Sequence, residues 1–128
     1  MKQQIMTDKA PMPKGPYSQG LKIGQMVFVA GQGPLDPKTG EIVKGTIEEQ
    51  TRLVFQHLEA VLAAAGAKLD DVVKATVHLH DLADFQAFNQ VYEEYFQEPY
   101  PTRTTVGSQL PEHMKVEIDV IAILPEQD

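Results

Sequence analysis

Lys74-Ala-Thr-Val-His-Leu-His-Asp-Leu-Ala-Asp-Phe85 changes period in its middle, and that change decides the fold. From Lys74 to His80 the chain alternates, with Ala75, Val77 and Leu79 on one side and Lys74, Thr76, His78 and His80 on the other, as in a half-buried strand. From Asp81 to Asp84 a helix begins, and Phe85, Phe88, Tyr92 and Tyr95 then recur as an aromatic stripe, with Val91 and Phe96 at its margins, until Pro99 ends it. Thr102 to Val106 is again β-prone, which completes a strand-helix-strand unit.

Upstream, Thr46-Ile-Glu-Glu49 is a capping box, and Val54, Leu58, Val61, Leu62 and Ala65 keep helical spacing up to Gly66, a C-cap. Before it, Leu21 to Ile23 and Met26 to Ala30 flank Gly24-Gln25 as a hairpin. The near-continuous apolar run of the second strand predicts burial on both faces. Ala10 to Pro16 holds three prolines and a glycine and reads as an ordered arm, and Asp36 to Gly40 is a turn. Val116 to Leu124 is the last strand, with Glu117 and Asp119 opposite Val116, Ile118 and Val120.

The order is therefore β-β-α-β-α-β-β over a single domain, residues 1–128, an α+β fold with both helices on one face of a mixed sheet. The other face stays uncovered, and a chain this short has no further layer to offer, so self-association is expected.

At 128 residues, 42% hydrophobic, 23% charged and formally −7, the chain suits one globular core and repels phosphate backbones, so no nucleic-acid partner is expected. The absence of cysteine excludes disulfides, thiolate nucleophiles and thiolate metal sites. The polar N-terminus lacks the apolar core of a secretory signal, and no apolar run approaches the ~20 residues that span a bilayer, so a cytoplasmic protein without a membrane partner is expected.

Arg103, in Pro99-Tyr-Pro-Thr-Arg-Thr-Thr-Val-Gly107, is the residue that most needs a partner. Its planar fork suits a carboxylate, either that of Glu117 as an internal ion pair or that of a ligand, in which case Glu117 is available to hold or deprotonate a water. Asn89, a polar amide on the margin of the aromatic stripe, also wants partners. His78 and His80 with Asp81 have a spacing that can bind a metal, but polar residues of a half-buried strand are usually its wet side. Gly31-Gln-Gly33 opens no helix and has no following Lys-Ser or Lys-Thr, so it reads as a strand end that a backbone or ligand approaches closely.

Gly15-Pro-Tyr-Ser-Gln19, Val29-Ala-Gly-Gln32, Asp36-Pro-Lys-Thr-Gly40, Asn89-Gln-Val-Tyr92, Pro101-Thr-Arg-Thr-Thr-Val106 and Leu110-Pro111 through Val116-Glu-Ile118 together resemble the RidA (YjgF) family of enamine/imine deaminases, in order and over almost the whole chain. The resemblance implies a chorismate-mutase-like fold and a homotrimer with sites between subunits. It implies a cofactor-free, metal-free hydrolysis of 2-aminoacrylate-type imines that carry a carboxylate. It assigns carboxylate binding to Arg103 and water activation to Glu117. The Gly31 backbone donor and the Thr105 carbonyl become further substrate contacts, with Tyr17 and Asn89 lining the site. Many deaminating members have serine where this chain has Ala30 and cysteine where it has Thr105. A non-catalytic sensor of 2-keto acids or amino-acid-like metabolites is the rival reading, and ribonuclease or translation-inhibitor activity, attached to relatives, is a third.

Overall fold

The computed structural model describes residues 1–126, so the last two residues of the expected domain lie outside the described residues. Its elements are β1 (Gln3–Ile5), β2 (Gly20–Ile23), β3 (Met26–Gln32), α1 (Ile47–Ala64), β4 (Val72–Leu79), α2 (Phe85–Tyr95), β5 (Thr102–Gly107) and β6 (Val116–Ile123), with short 3-10 turns at Leu69–Asp71 and Leu82–Asp84. They form one six-stranded sheet in the order β1-β2-β3-β6-β4-β5. Every neighbouring pair is antiparallel except β4 and β5. The last strand enters the middle of the sheet, so α1 crosses over β6 to join β3 to β4, and α2 joins the parallel neighbours β4 and β5.

Local sequence explains both helices. Thr46 and Glu49 exchange the two capping-box bonds, at 3.1 and 2.9 Å, which satisfies two orphan donors at the start of α1. Its end is closed by Gly66, whose φ of 81° lets the Ala67 N–H reach back to the Leu62 carbonyl. The helices share one face of the sheet, locked by the stacked rings of Phe55 and Tyr95, 4.4 Å apart, and by the Arg52–Glu94 ion pair at 2.7 Å. Val54, Phe55, Leu58, Val61 and Leu62 of α1 and Phe88 of α2 meet Val27, Ala75, Val77, Val116 and Ile118 in the core, each fully buried. Removing a side chain of this kind from water contributes about 1.5–3 kcal/mol.

Three expectations need correction. The sheet has an additional strand, β1, because Ile5 is buried beside Gly20 and the edge of β2 offers unpaired backbone groups to Gln3–Ile5. The strand around Met26–Ala30 is buried on one face only: Val27 and Val29 point to the helices, whereas Met26 is 40% exposed and Phe28 and Ala30 are half-buried on the far side. In α2 the stripe is rotated, so that Val91 and Phe96 are buried and Phe85 is 38% exposed. The turn at Asp36–Gly40 forms as expected, with Asp36 Oδ1 accepting from the Lys38 N–H at 2.8 Å. The sheet therefore has a helix face and an open face, and no helix among the described residues is long and apolar enough to cross a membrane.

Candidate functional site

Strand parity settles where each candidate side chain points. Arg103 lies opposite Ala75 and Thr105 opposite Val77 in the parallel β4–β5 pair, and directly opposed residues share a face, so both are on the helix face at the sheet edge. There the Arg103 guanidinium lies 4.7 Å from the ring of Tyr92, 5.5 Å from Phe85 and 5.8 Å from Phe88. One amino group donates to Asn89 Oδ1 at 2.9 Å. Aromatic faces attract the cation and the amide fixes its roll, so the fork is oriented before anything binds. Among the described residues no carboxylate lies within ion-pair distance of it. Asn89, Tyr92, Glu93, Tyr100, Pro101 and Arg103 surround a cleft of about 300 Å³. The Tyr92 hydroxyl and Thr105 Oγ1 are buried here without a hydrogen-bond partner, and burial pushes the Tyr92 phenol above its ordinary range while the Arg103 charge opposes that shift.

Glu117 is on the other side of the sheet. It lies opposite His78 and alternates with the buried Val116 and Ile118, so its carboxylate is on the open face. Its immediate neighbour is a bulge in β3: Val29 pairs with Val120 and Gln32 with Ile118, which leaves Ala30 and Gly31 together opposite Asp119. A Cβ on Gly31 would sit 2.5 Å from Glu117 Oε2, so the carboxyl is folded over the glycine backbone and only glycine leaves it room. Tyr17 reaches the same face from the N-terminal arm, which is held by Gln19: its carbonyl accepts the Ala30 N–H at 2.9 Å, and its buried amide bonds to Thr7 and to the Ala10 and Pro11 carbonyls. Tyr17, Leu21, Phe28, Ala30, Gly31 and Asp119 are among the residues around a hollow of about 560 Å³. Burial raises the Asp119 carboxyl above the usual range, with His78, Thr76 and Lys74 pulling the other way.

The structure thus gathers Arg103, Asn89 and Thr105 on one face and Glu117, Gly31 and Tyr17 on the opposite one. The internal Arg103–Glu117 ion pair does not form, because the two side chains project from opposite sides of one sheet. Sequence reasoning missed Tyr92 and Phe85 as partners of the arginine, reading them only as members of the aromatic stripe, although the i, i+3 spacing of Asn89 and Tyr92 puts both on one helical face. It also missed Gln19, a buried amide in a short polar stretch. His78, His80 and Asp81 do not converge into a metal site, and the described residues hold no cluster of three or more such ligands.

Residues 7–124 match the family model described as Endoribonuclease L-PSP. A RutC family protein of Pyrococcus abyssi is 55% identical over 122 residues, 94% of this chain and 96% of that protein. A Dermatophagoides farinae protein named 2-iminobutanoate/2-iminopropanoate deaminase is 41% identical over 124 residues, 96% of this chain and 97% of its own. Among solved structures, E. coli TdcF with bound serine superposes with a TM-score of 0.88 at 42% identity, covering 96% of this chain and 99% of that one.

Proposed function

Because the chain belongs to the Endoribonuclease L-PSP family, whose relatives include reactive-intermediate deaminases of the RidA type, we propose that it is a 2-iminobutanoate/2-iminopropanoate deaminase that works as a homotrimer with its sites between subunits. The reaction converts a 2-iminium acid and water into a 2-keto acid and ammonium. Arg103 takes the substrate carboxylate in its oriented fork, and Asn89 and Tyr92 keep that fork in place. Glu117 accepts a proton from water as the C–O bond forms and returns it to nitrogen, and as the C–N bond breaks the hydroxyl of the addition intermediate passes its remaining proton through Glu117 to the departing ammonia, which leaves a keto acid and ammonium. The iminium carbon is already electrophilic, so neither a covalent nucleophile nor a metal is called for. The Gly31 N–H and the Thr105 carbonyl complete the contacts, and Tyr17 closes the wall.

One observation carries this reading: a guanidinium fixed by rings and an amide, with no carboxylate among the described residues paired to it, on the face opposite a carboxylate folded over a bare glycine backbone. Neither half can do the chemistry alone, and a second copy laid against the open face supplies the missing one.

A threonine dehydratase coupled to this protein tests the reading by the rate of 2-oxobutanoate release. The wild type should accelerate release, Arg103→Ala should abolish the acceleration with the fold intact, and Glu117→Gln should lower it about 10²–10⁴-fold. Binding of 2-oxobutanoate without any acceleration would replace the enzyme by a sensor. Salt-sensitive RNA cleavage by highly purified protein would restore the activity in the family's description.

A further inference from the structure

The Glu117 carboxyl leans across Gly31, towards β3, so a water that it serves and the carbon that water attacks lie over the β3 bulge. Ala30 is the first side chain beyond the bare glycine. Two residues further along β3, about 7 Å away, stands Phe28, whose register partners are Leu21 on β2 and Ile121 on β6. Directly opposed residues share a face, so these three side chains make one apolar row across the open side of the sheet. Tyr17 flanks it on an arm pinned in place where the Gln19 carbonyl accepts the Ala30 N–H at 2.9 Å. The hollow of about 560 Å³ thus runs from Gly31 past Ala30 to the Phe28 row. Asp119 is the acidic residue of its wall, and the groups that hold that charge, His78, Thr76 and Lys74, stand on β4, on the side away from β3.

We propose that this hollow receives the side chain of the substrate and makes the protein selective for 2-iminium acids with branched aliphatic or aromatic side chains, Ala30 being the residue that lets them pass. The inference rests on the reading above, in which Arg103 of another copy holds the carboxylate and Glu117 serves the water. With the carboxylate directed to that copy and the reacting carbon over Gly31, the remaining substituent has Ala30 beside it. A methyl or ethyl group ends there. An isobutyl or benzyl group reaches the Phe28 ring and removes its surface, with that of Leu21 and Ile121, from water. The alanine methyl presents no polar group to that chain, whereas a hydroxyl at this position would be buried against it unpaired.

An L-amino-acid oxidase acting on 2-aminobutanoate, leucine or phenylalanine supplies the matching iminium acids to the full chain, and keto-acid release above spontaneous hydrolysis gives kcat/KM for each. A methylene taken out of water is worth about fourfold, so the leucine-derived imine, with two more carbons than 2-iminobutanoate, should be preferred about 16-fold. The phenylalanine-derived imine should be preferred at least as strongly. Ala30→Leu fills the passage and should reverse the preference, and Ala30→Ser, a smaller change, should remove most of it in a protein that sediments as the wild type does. No preference for the larger imines in the wild type, or a preference that both variants leave unchanged, would overturn the proposal. Calorimetry with 2-oxobutanoate and 4-methyl-2-oxopentanoate needs no turnover and separates this from failure of the deaminase reading. Tighter binding of the larger acid by a protein that hydrolyses no imine keeps the role of the hollow and removes the enzyme. Equal or weaker binding of the larger acid, or binding of neither, removes the role of the hollow whether or not imines are hydrolysed.

Discussion

Gly31 shows how one missing side chain sets up a site. Its place in the β3 bulge brings backbone and the Glu117 carboxyl so close that a methyl group would meet Oε2 at 2.5 Å and Cδ at 2.9 Å. Gly31→Ala should therefore push the carboxyl aside and lower kcat about 100-fold, while the melting temperature changes by only a few degrees, because the displaced group faces the open side and not the core. Steady-state kinetics beside a thermal melt checks both halves. The sequence reading identified Gly31 as a point of close approach, but the approaching group depends on the bulge and on β6 lying beside β3, neither of which has a local signature. Arg103 is similar. Its need for a carboxylate was legible from its chemistry. Its face was not, because Thr-Arg-Thr-Thr-Val has no apolar alternation from which to read parity.

Among elements, those with local signals were the legible ones: a capping box and Gly66 bound α1, and a two-residue hairpin joins β2 to β3. β1 was not, since Gln3-Gln4-Ile5 carries one buried residue and is recruited by the edge of β2. The arm that follows β1 depends on Gln19, whose amide bonds to Thr7, Ala10 and Pro11 from a position 1% exposed. Gln19→Ala leaves those buried backbone groups unpaired and should cost about 2–3 kcal/mol in urea unfolding, with faster amide exchange at Thr7. A second buried group, on α1, makes stability depend on pH. His57 Nε2 bonds to the Leu35 carbonyl at 2.7 Å and Nδ1 has no partner. Burial lowers its pKa below the ordinary value, against the opposing pull of the Leu35 carbonyl and the Asp36 charge. The unfolded chain then binds the proton more readily than the folded one below about pH 6.5, so stability falls as pH drops through that point. Urea midpoints at about pH 7 and about pH 5.5 should differ in the wild type, and His57→Gln should flatten the difference.

The whole molecule shows what its parts leave unfinished. One copy exposes 7637 Å², against about 6,800 Å² expected for a monomer of this length. Met26 and Ile123 of the open face, at 40% and 46% exposure, are part of that surface. That the helices leave one face of the sheet open was legible from the count of layers, whereas the separation of Arg103 from Glu117 was not, because it follows from strand order. If each site joins the Arg103 half of one copy to the Glu117 half of another, Arg103→Ala and Glu117→Gln are defects in different halves. Each variant alone should be inactive. In a trimer assembled from equal amounts of both, a site is intact when its arginine comes from a Glu117→Gln copy and its glutamate from an Arg103→Ala copy, which random mixing gives at about a quarter of sites. Co-expressed variants should therefore recover about a quarter of wild-type deamination while sedimenting as a trimer. A site contained in one copy recovers nothing on mixing, and a wild type that sediments as a monomer at micromolar concentration removes the premise. On the same premise of a between-copy site, Phe28→Glu, which places a charge on the half-buried open face, should lower the sedimentation coefficient to that of a monomer and abolish deamination together.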